Sequence, residues 1–182
     1  MPPFVDLSLI ELCFGPAATT YFNSTVRLQD GGKMIGLMED VAKMHENLAT
    51  YDRSPRTSYN DYIPFVVSAA KLLEGFLIHL LGKADQSFSP DQEKLGNKLD
   101  QLISSSKYQE VCIASLSQPK AVPAHITKRD LVALAQLYEA RRNKPLHFME
   151  TPIPNIAQAR EHVSVIASTV NTYTTRYLYL VK

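Results

Sequence analysis

The sequence predicts an all-α protein, an up-and-down bundle of four to five helices behind a short irregular N-terminal extension. Three observations carry this. Apolar residues recur at helical spacing in several long segments. One of those segments is apolar almost all round. The last segment holds a double heptad register, the seam of a helix packed nearly antiparallel to its neighbours.

The 182 residues suit one domain with an extension, divided at 33/34. Residues 1–33 are the least regular. Leu7, Leu9 and the run Phe22-Asn23-Ser24-Thr25-Val26 allow short strands, and Asp30-Gly31-Gly32 marks a turn. Asn23-Ser24-Thr25 matches a glycosylation sequon, which is accidental without an export signal. No such signal is expected, because the opening residues lack a basic region and Asp6 and Glu11 interrupt the apolar ones.

The helical domain, 34–182, opens with Leu37, Met38, Val41, Met44, His45 and Leu48, and Glu39 precedes Lys43 by one turn. A polar loop over 51–58 follows. The second helix, 61–81, is strongly apolar and is expected to end at Gly82. Lys71, Glu74 and His79 lie inside it. Each central charge costs about 2.5–3.5 kcal/mol in a bilayer, so it reads as a buried helix and not a membrane span.

The third helix is predicted to start at Ser89 as N-cap, with Pro90 first and Gln92 closing a capping box. Leu95, Leu99, Leu102 and Ile103 form its buried face. Residues 108–116 suit a short helix or a strand, and Pro119 and Pro123 hold an open connection. The fourth long helix starts at Thr127, with Asp130 in the capping position. Leu131, Leu134, Ala135 and Tyr138 form its stripe, Arg142 continues it, and Pro145 ends it. The last helix runs from Asn155 towards Tyr179. Ile156, Val163, Val170 and Tyr177 recur every seven residues, as do Ala159, Ile166, Tyr173 and Leu180.

Composition narrows the function classes. Nineteen Lys+Arg against eighteen Asp+Glu leave a net charge of +1, so any nucleic-acid contact rests on a local patch. Two cysteines, Cys13 and Cys112, make neither a disulfide framework nor a metal site and read as free thiols in a reducing cytoplasm. Phosphate-loop, zinc-helix, nucleophile-elbow and calcium-loop signatures are missing from the sequence. His45, His79, His125 and His162 are scattered and read as surface or half-buried side chains.

One stretch carries chemistry: Arg141-Arg142-Asn143-Lys144-Pro145-Leu146-His147, an Arg-Asn-x-x-x-His pattern at a helix break. Arginine offers a planar fork for phosphate oxygens, and histidine moves a proton near neutral pH. Together they suffice to cleave a phosphodiester without metal. The competing reading is a basic last turn complementing the helix dipole, with His147 in a solvated loop. Lys71 and Glu74 sit three apart on the most apolar helix. Either they are an ion pair at the bundle edge, or Glu74 holds Arg142 while Lys71 adds charge for phosphate.

Lys71-Leu72-Leu73-Glu74-Gly75, followed by Arg142-Asn143 and His147, resembles the HEPN superfamily over about 59–182. It is most similar to the C-terminal toxic domain of the RNase LS type toxins. That resemblance implies a metal-independent endoribonuclease without cofactor, acting as a toxin in a toxin–antitoxin or phage-defence setting. It would cut single-stranded RNA by 2′-hydroxyl attack.

The resemblance makes Arg142, His147, Glu74 and Lys71 catalytic, and Asn143, Lys144 and Arg141 substrate-binding. It further implies a homodimer with a symmetric cleft, a protein antitoxin that occludes it, and a cytoplasmic location without membrane contact. A lysine stands at Lys71 where the family favours arginine, and Met149 occupies the place of a tyrosine that relatives use for adenylylation control. The chain is expected to be a minimal relative or a catalytic fragment. The alternative is a catalytically inactive HEPN-like module binding a nucleotide or protein partner, since one fold hosts both roles.

Overall fold

The structure, a computed structural model, describes residues 5–25, 31–51, 62–91, 93–117, 120–143, 153 and 155–178. Among these there are helices and connections and no strand.

The N-terminal region departs from the expected strands and irregular extension. It forms α1 (Leu7–Phe14) and α2 (Pro16–Ser24). The Asp6 carboxylate caps α1 by accepting from the Leu9 N–H at 3.1 Å, and Pro16 opens α2. Gly15 joins them at φ +80°, and a Cβ there would lie 2.9 Å from the Asn171 side chain, so both backbone and space call for glycine. Ile10, Phe14, Ala18 and Phe22 recur every four residues straight through this corner, and each is at most 1% exposed. That spacing, rather than the alternation of Leu7 and Leu9, decides the structure.

α3 (Gly31–Tyr51) buries Met34, Ile35, Met38, Val41, Ala42 and Leu48, and the expected Glu39–Lys43 ion pair closes at 2.8 Å. The polar loop over 51–58 lies, beyond Tyr51, outside the described residues. A 3-10 turn, Ile63–Phe65, leads into α4 (Val67–Ala84). α4 is the central element, touching α3, the helices Ser106–Ser117 and Ile156–Tyr173, and the turn Glu139–Asn143. It buries Leu72, Leu73, Phe76, Leu77, Leu80 and Leu81. It starts later than expected because Pro64 and the bond from the Tyr62 N–H to the Ile153 carbonyl hold the approach out of α-helix. It also runs through Gly82 to Ala84, since the apolar face continues to Ala84. Among the described residues no helix is long and apolar enough to cross a membrane.

α5 (Leu95–Ser104) begins six residues after the expected cap at Ser89. The intervening chain is held as a loop. Asp85 accepts from the Ser87 N–H and hydroxyl, and Lys98 reaches both Asp85 and Glu93. Gln92, the expected box partner, lies outside the described residues. Leu95, Leu99 and Leu102 are buried as expected, but Ile103 is 53% exposed. Residues 108–116 belong to a helix, α6 (Ser106–Ser117).

α7 (Ala124–Tyr138) buries Leu131, Leu134, Ala135 and Tyr138, and α8 (Ile156–Tyr173) buries Ala159, Val163, Ile166 and Val170, as the heptads predict. Each ends in a π-helical turn, Glu139–Asn143 and Thr174–Leu178. α7 starts earlier than Thr127, and Asp130 is not a cap. Its buried carboxylate instead accepts from Arg176 and, at 2.8 Å, from the Tyr177 hydroxyl. Leu180 and Pro145 lie outside the described residues. Cys13 and Cys112 are free thiols, both pushed up to about 11 by burial.

Because Phe22 packs edge-on against Phe76 of α4, the N-terminal helices belong to the same core. Phe22→Ala should lower stability by about 3–5 kcal/mol in urea unfolding. A change near zero would contradict this packing.

Candidate functional site

Arg142 reaches the surface of α4 because α7 overruns its last α-turn. Tyr138 and Arg142 stand four apart on the face that packs inward, and the π turn carries one extra residue per turn as far as Asn143. The guanidinium meets Glu74 through two nitrogens. Nε donates to Oε2 at 3.2 Å, and Nη2 donates to Oε2 at 3.0 Å and to Oε1 at 3.2 Å. The Tyr138 ring lies 5.6 Å from the guanidinium carbon and backs it with a π face. About 30% of each charged side chain remains exposed, so the pair is both braced and open to a ligand.

The pair forms one wall of a cleft of about 400 Å³. Lys94 and Asn97, at the start of α5, also line it, and Ile78, Leu95 and Tyr138 are among its apolar residues. Among the described lining residues Arg142 and Lys94 are cationic and Glu74 is anionic. Nothing in the local sequence marks Lys94 or Asn97 as site residues, because only the loop between α4 and α5 brings them here.

The other predicted residues divide. Lys71 does not join the pair: it is exposed and makes no ion pair with Glu74 among the described residues. Three residues before Glu74, it has turned past the contact edge of α4, whose packed side carries Ala70, Leu73 and Leu77. Arg141 points away from Arg142 and pairs with Glu161 of α8 at 2.8 Å, fastening the π turn to α8. Asn143 closes that turn. Lys144 and His147 lie outside the described residues.

His162 corrects the expectation of a surface or half-buried histidine. It occupies the slot between Ala159 and Val163 in the α8 seam, is 2% exposed, and lies under the main chain of Arg141. Its Nε2 has no partner among the described residues. Burial drives its pKa down to about 4, with the Arg141 charge acting the same way and a hydrogen bond with the Arg141 main chain opposing. Among the described residues no three His, Cys, Asp or Glu side chains gather where a metal could be held.

No protein-family model, curated protein or solved structure matches the chain. What the cleft offers is therefore read from its own groups. A guanidinium held by a carboxylate, one ammonium and one carboxamide suit an anionic, hydrogen-bonding ligand such as a phosphodiester.

His162 gives a test of the support beneath this site. Its folded pKa lies below the unfolded value of about 6.5, so its contribution is complete above that pH and is lost as pH falls towards 4. Between about pH 7 and about pH 5, unfolding free energy should drop by roughly 2 kcal/mol more in the wild type than in His162→Gln. The same pH dependence in both proteins would contradict a buried, neutral imidazole.

Proposed function

We propose that this protein is a metal-independent endoribonuclease of HEPN type that acts as a toxin, in a toxin–antitoxin pair or in phage defence. The observation that carries the reading is the two-nitrogen contact between Glu74 and Arg142, made across 68 residues of sequence at the end of an apolar helix stripe. Its supports are the all-helical fold and His147, five positions after Arg142.

In this reading the helices from α3 onward form the HEPN bundle. RNA enters the cleft with a phosphate on Arg142. His147 serves as general acid or base, a role typically worth 10²–10⁴-fold, about 3–5 kcal/mol of barrier. The substrate's own 2′-hydroxyl attacks the phosphorus, the 5′-oxygen leaves with a proton, and a 2′,3′-cyclic phosphate remains. Arg142 stabilises the charge gathered on the phosphate, and Glu74 holds the guanidinium in place without taking a proton itself. Lys94 and Asn97 hold the strand within the same cleft, and Lys144 and Asn143 flank the scissile phosphate. The active form is a homodimer whose two Arg142/His147 sets share a symmetric cleft. A protein antitoxin covers it in the cytoplasm.

The experiment is incubation of the purified protein with single-stranded RNA in excess EDTA, with the product ends analysed. Cleavage with cyclic phosphate ends is expected, with Arg142→Ala and His147→Ala each losing at least about 100-fold. Glu74→Gln should lose less than Arg142→Ala. A requirement for magnesium, equal cutting of DNA, or full activity in His147→Ala would overturn the reading.

A further inference from the structure

In the middle of α7, roughly 18 Å from Arg142 at the helical rise, a second group of cations adjoins one buried carboxylate, Asp130. The Asp130 side chain is 4% exposed. Arg176, from the π turn after α8, bonds its Oδ2, and the Tyr177 hydroxyl bonds the same oxygen at 2.8 Å. These contacts neutralise and satisfy the carboxylate. Arg129 is then surplus: its Nη2 lies 3.4 Å from Asp130 Oδ1, yet 67% of its side chain is exposed. Lys120 reaches the same turn, donating to the Thr175 carbonyl. Two arginines thus meet one carboxylate, with Lys120 on the adjoining turn.

Aromatic surface adjoins them. Tyr173 lies near Asp130, Arg176 and Arg129, stacks on Tyr177 with centroids 6.1 Å apart, and holds the Arg176 guanidinium 5.7 Å from its ring centre. It is only half-buried.

We propose that Arg129, Arg176 and Tyr173 form a binding surface for the backbone of single-stranded nucleic acid. Guanidinium forks match phosphate oxygens, and the partly exposed tyrosine beside them adds aromatic surface. Asp130 orients Arg176 as a positioning residue and does not itself meet the strand. An anionic membrane would ask for apolar side chains around the cations. The exposed large hydrophobic residues of the described structure, Leu7, Leu12, Ile103 and Val111, lie on α1, α5 and α6 and not here. The surface is separate from the Glu74–Arg142 cleft and binds whether or not that cleft cuts.

The test uses the full chain and a fluorescent 2′-O-methyl oligouridylate of roughly twelve nucleotides, which 2′-hydroxyl attack cannot cleave. Fluorescence anisotropy across a salt series should show binding that weakens about tenfold in Arg129→Glu. The slope of log affinity against log salt should fall by about 0.7 for each phosphate that the variant no longer neutralises. Arg129→Lys should keep most of the affinity. Because Arg129 is exposed, helical circular dichroism should be unchanged, and Arg129→Gln gives a second, milder variant should the reversal disturb folding. No binding of the oligomer, equal affinity and slope in wild type and both Arg129→Glu and Arg129→Gln, or binding only to phosphatidylserine vesicles would each overturn the proposal.

Discussion

The structure turns on a single partly exposed carboxylate in its most buried helix. α4 is packed against α3, α6 and α8, and Glu74 is its only acidic residue. A carboxylate at that edge must be hydrated or paired. Arg142 pairs it and keeps part of both groups in contact with solvent. That requirement explains why α7 cannot end at Tyr138. The chain adds a π turn so that Arg142 falls on the α4 side, while Arg141 turns the other way to Glu161. One turn thereby touches two helices, and His162 fills the space beneath it.

The same device recurs at the middle of α7. Asp130 is the carboxylate there, Arg176 is the arginine, and the arginine again sits in a π turn appended to a longer helix. The two pairs differ in depth. Asp130 is nearly sealed, so its neutralisation by Arg176 and its hydrogen bond from Tyr177 are a condition of stability. Glu74 and Arg142 are partly open beside a cleft, so the same chemistry is available to a ligand. A shared motif thus serves fastening at Asp130 and, in the reading proposed above, recognition at Glu74.

Much of this is legible in the sequence where side-chain spacing alone decides the outcome. The stripe Leu131, Leu134, Ala135, Tyr138 and the heptads of α8 point to their buried faces, and continuing the first stripe by one turn brings Arg142 to Glu74. Local punctuation misleads where tertiary contacts prevail. Gly82 is a good helix stop, but Ala84 still has a core to face. Ser89-Pro90 is a good start, but Asp85 and Lys98 hold that stretch as a loop. Asp130 and His162 look like polar residues near the surface because their partners, Arg176 and the Arg141 main chain, are far away in sequence. The N-terminal helices are hidden because Gly15 and Pro16 break a register that Ile10, Phe14, Ala18 and Phe22 carry across them.

The central claim is that the guanidinium held by Glu74 is the group that meets phosphate. The most direct measurement is nitrogen-15 NMR of the Arg142 side chain, assigned through Arg142→Lys, during titration with a non-cleavable 2′-O-methyl dinucleotide. The account predicts a protected Nε–H resonance that shifts on addition of the dinucleotide and loses its protection in Glu74→Gln. A resonance that stays unchanged at saturating dinucleotide would contradict it.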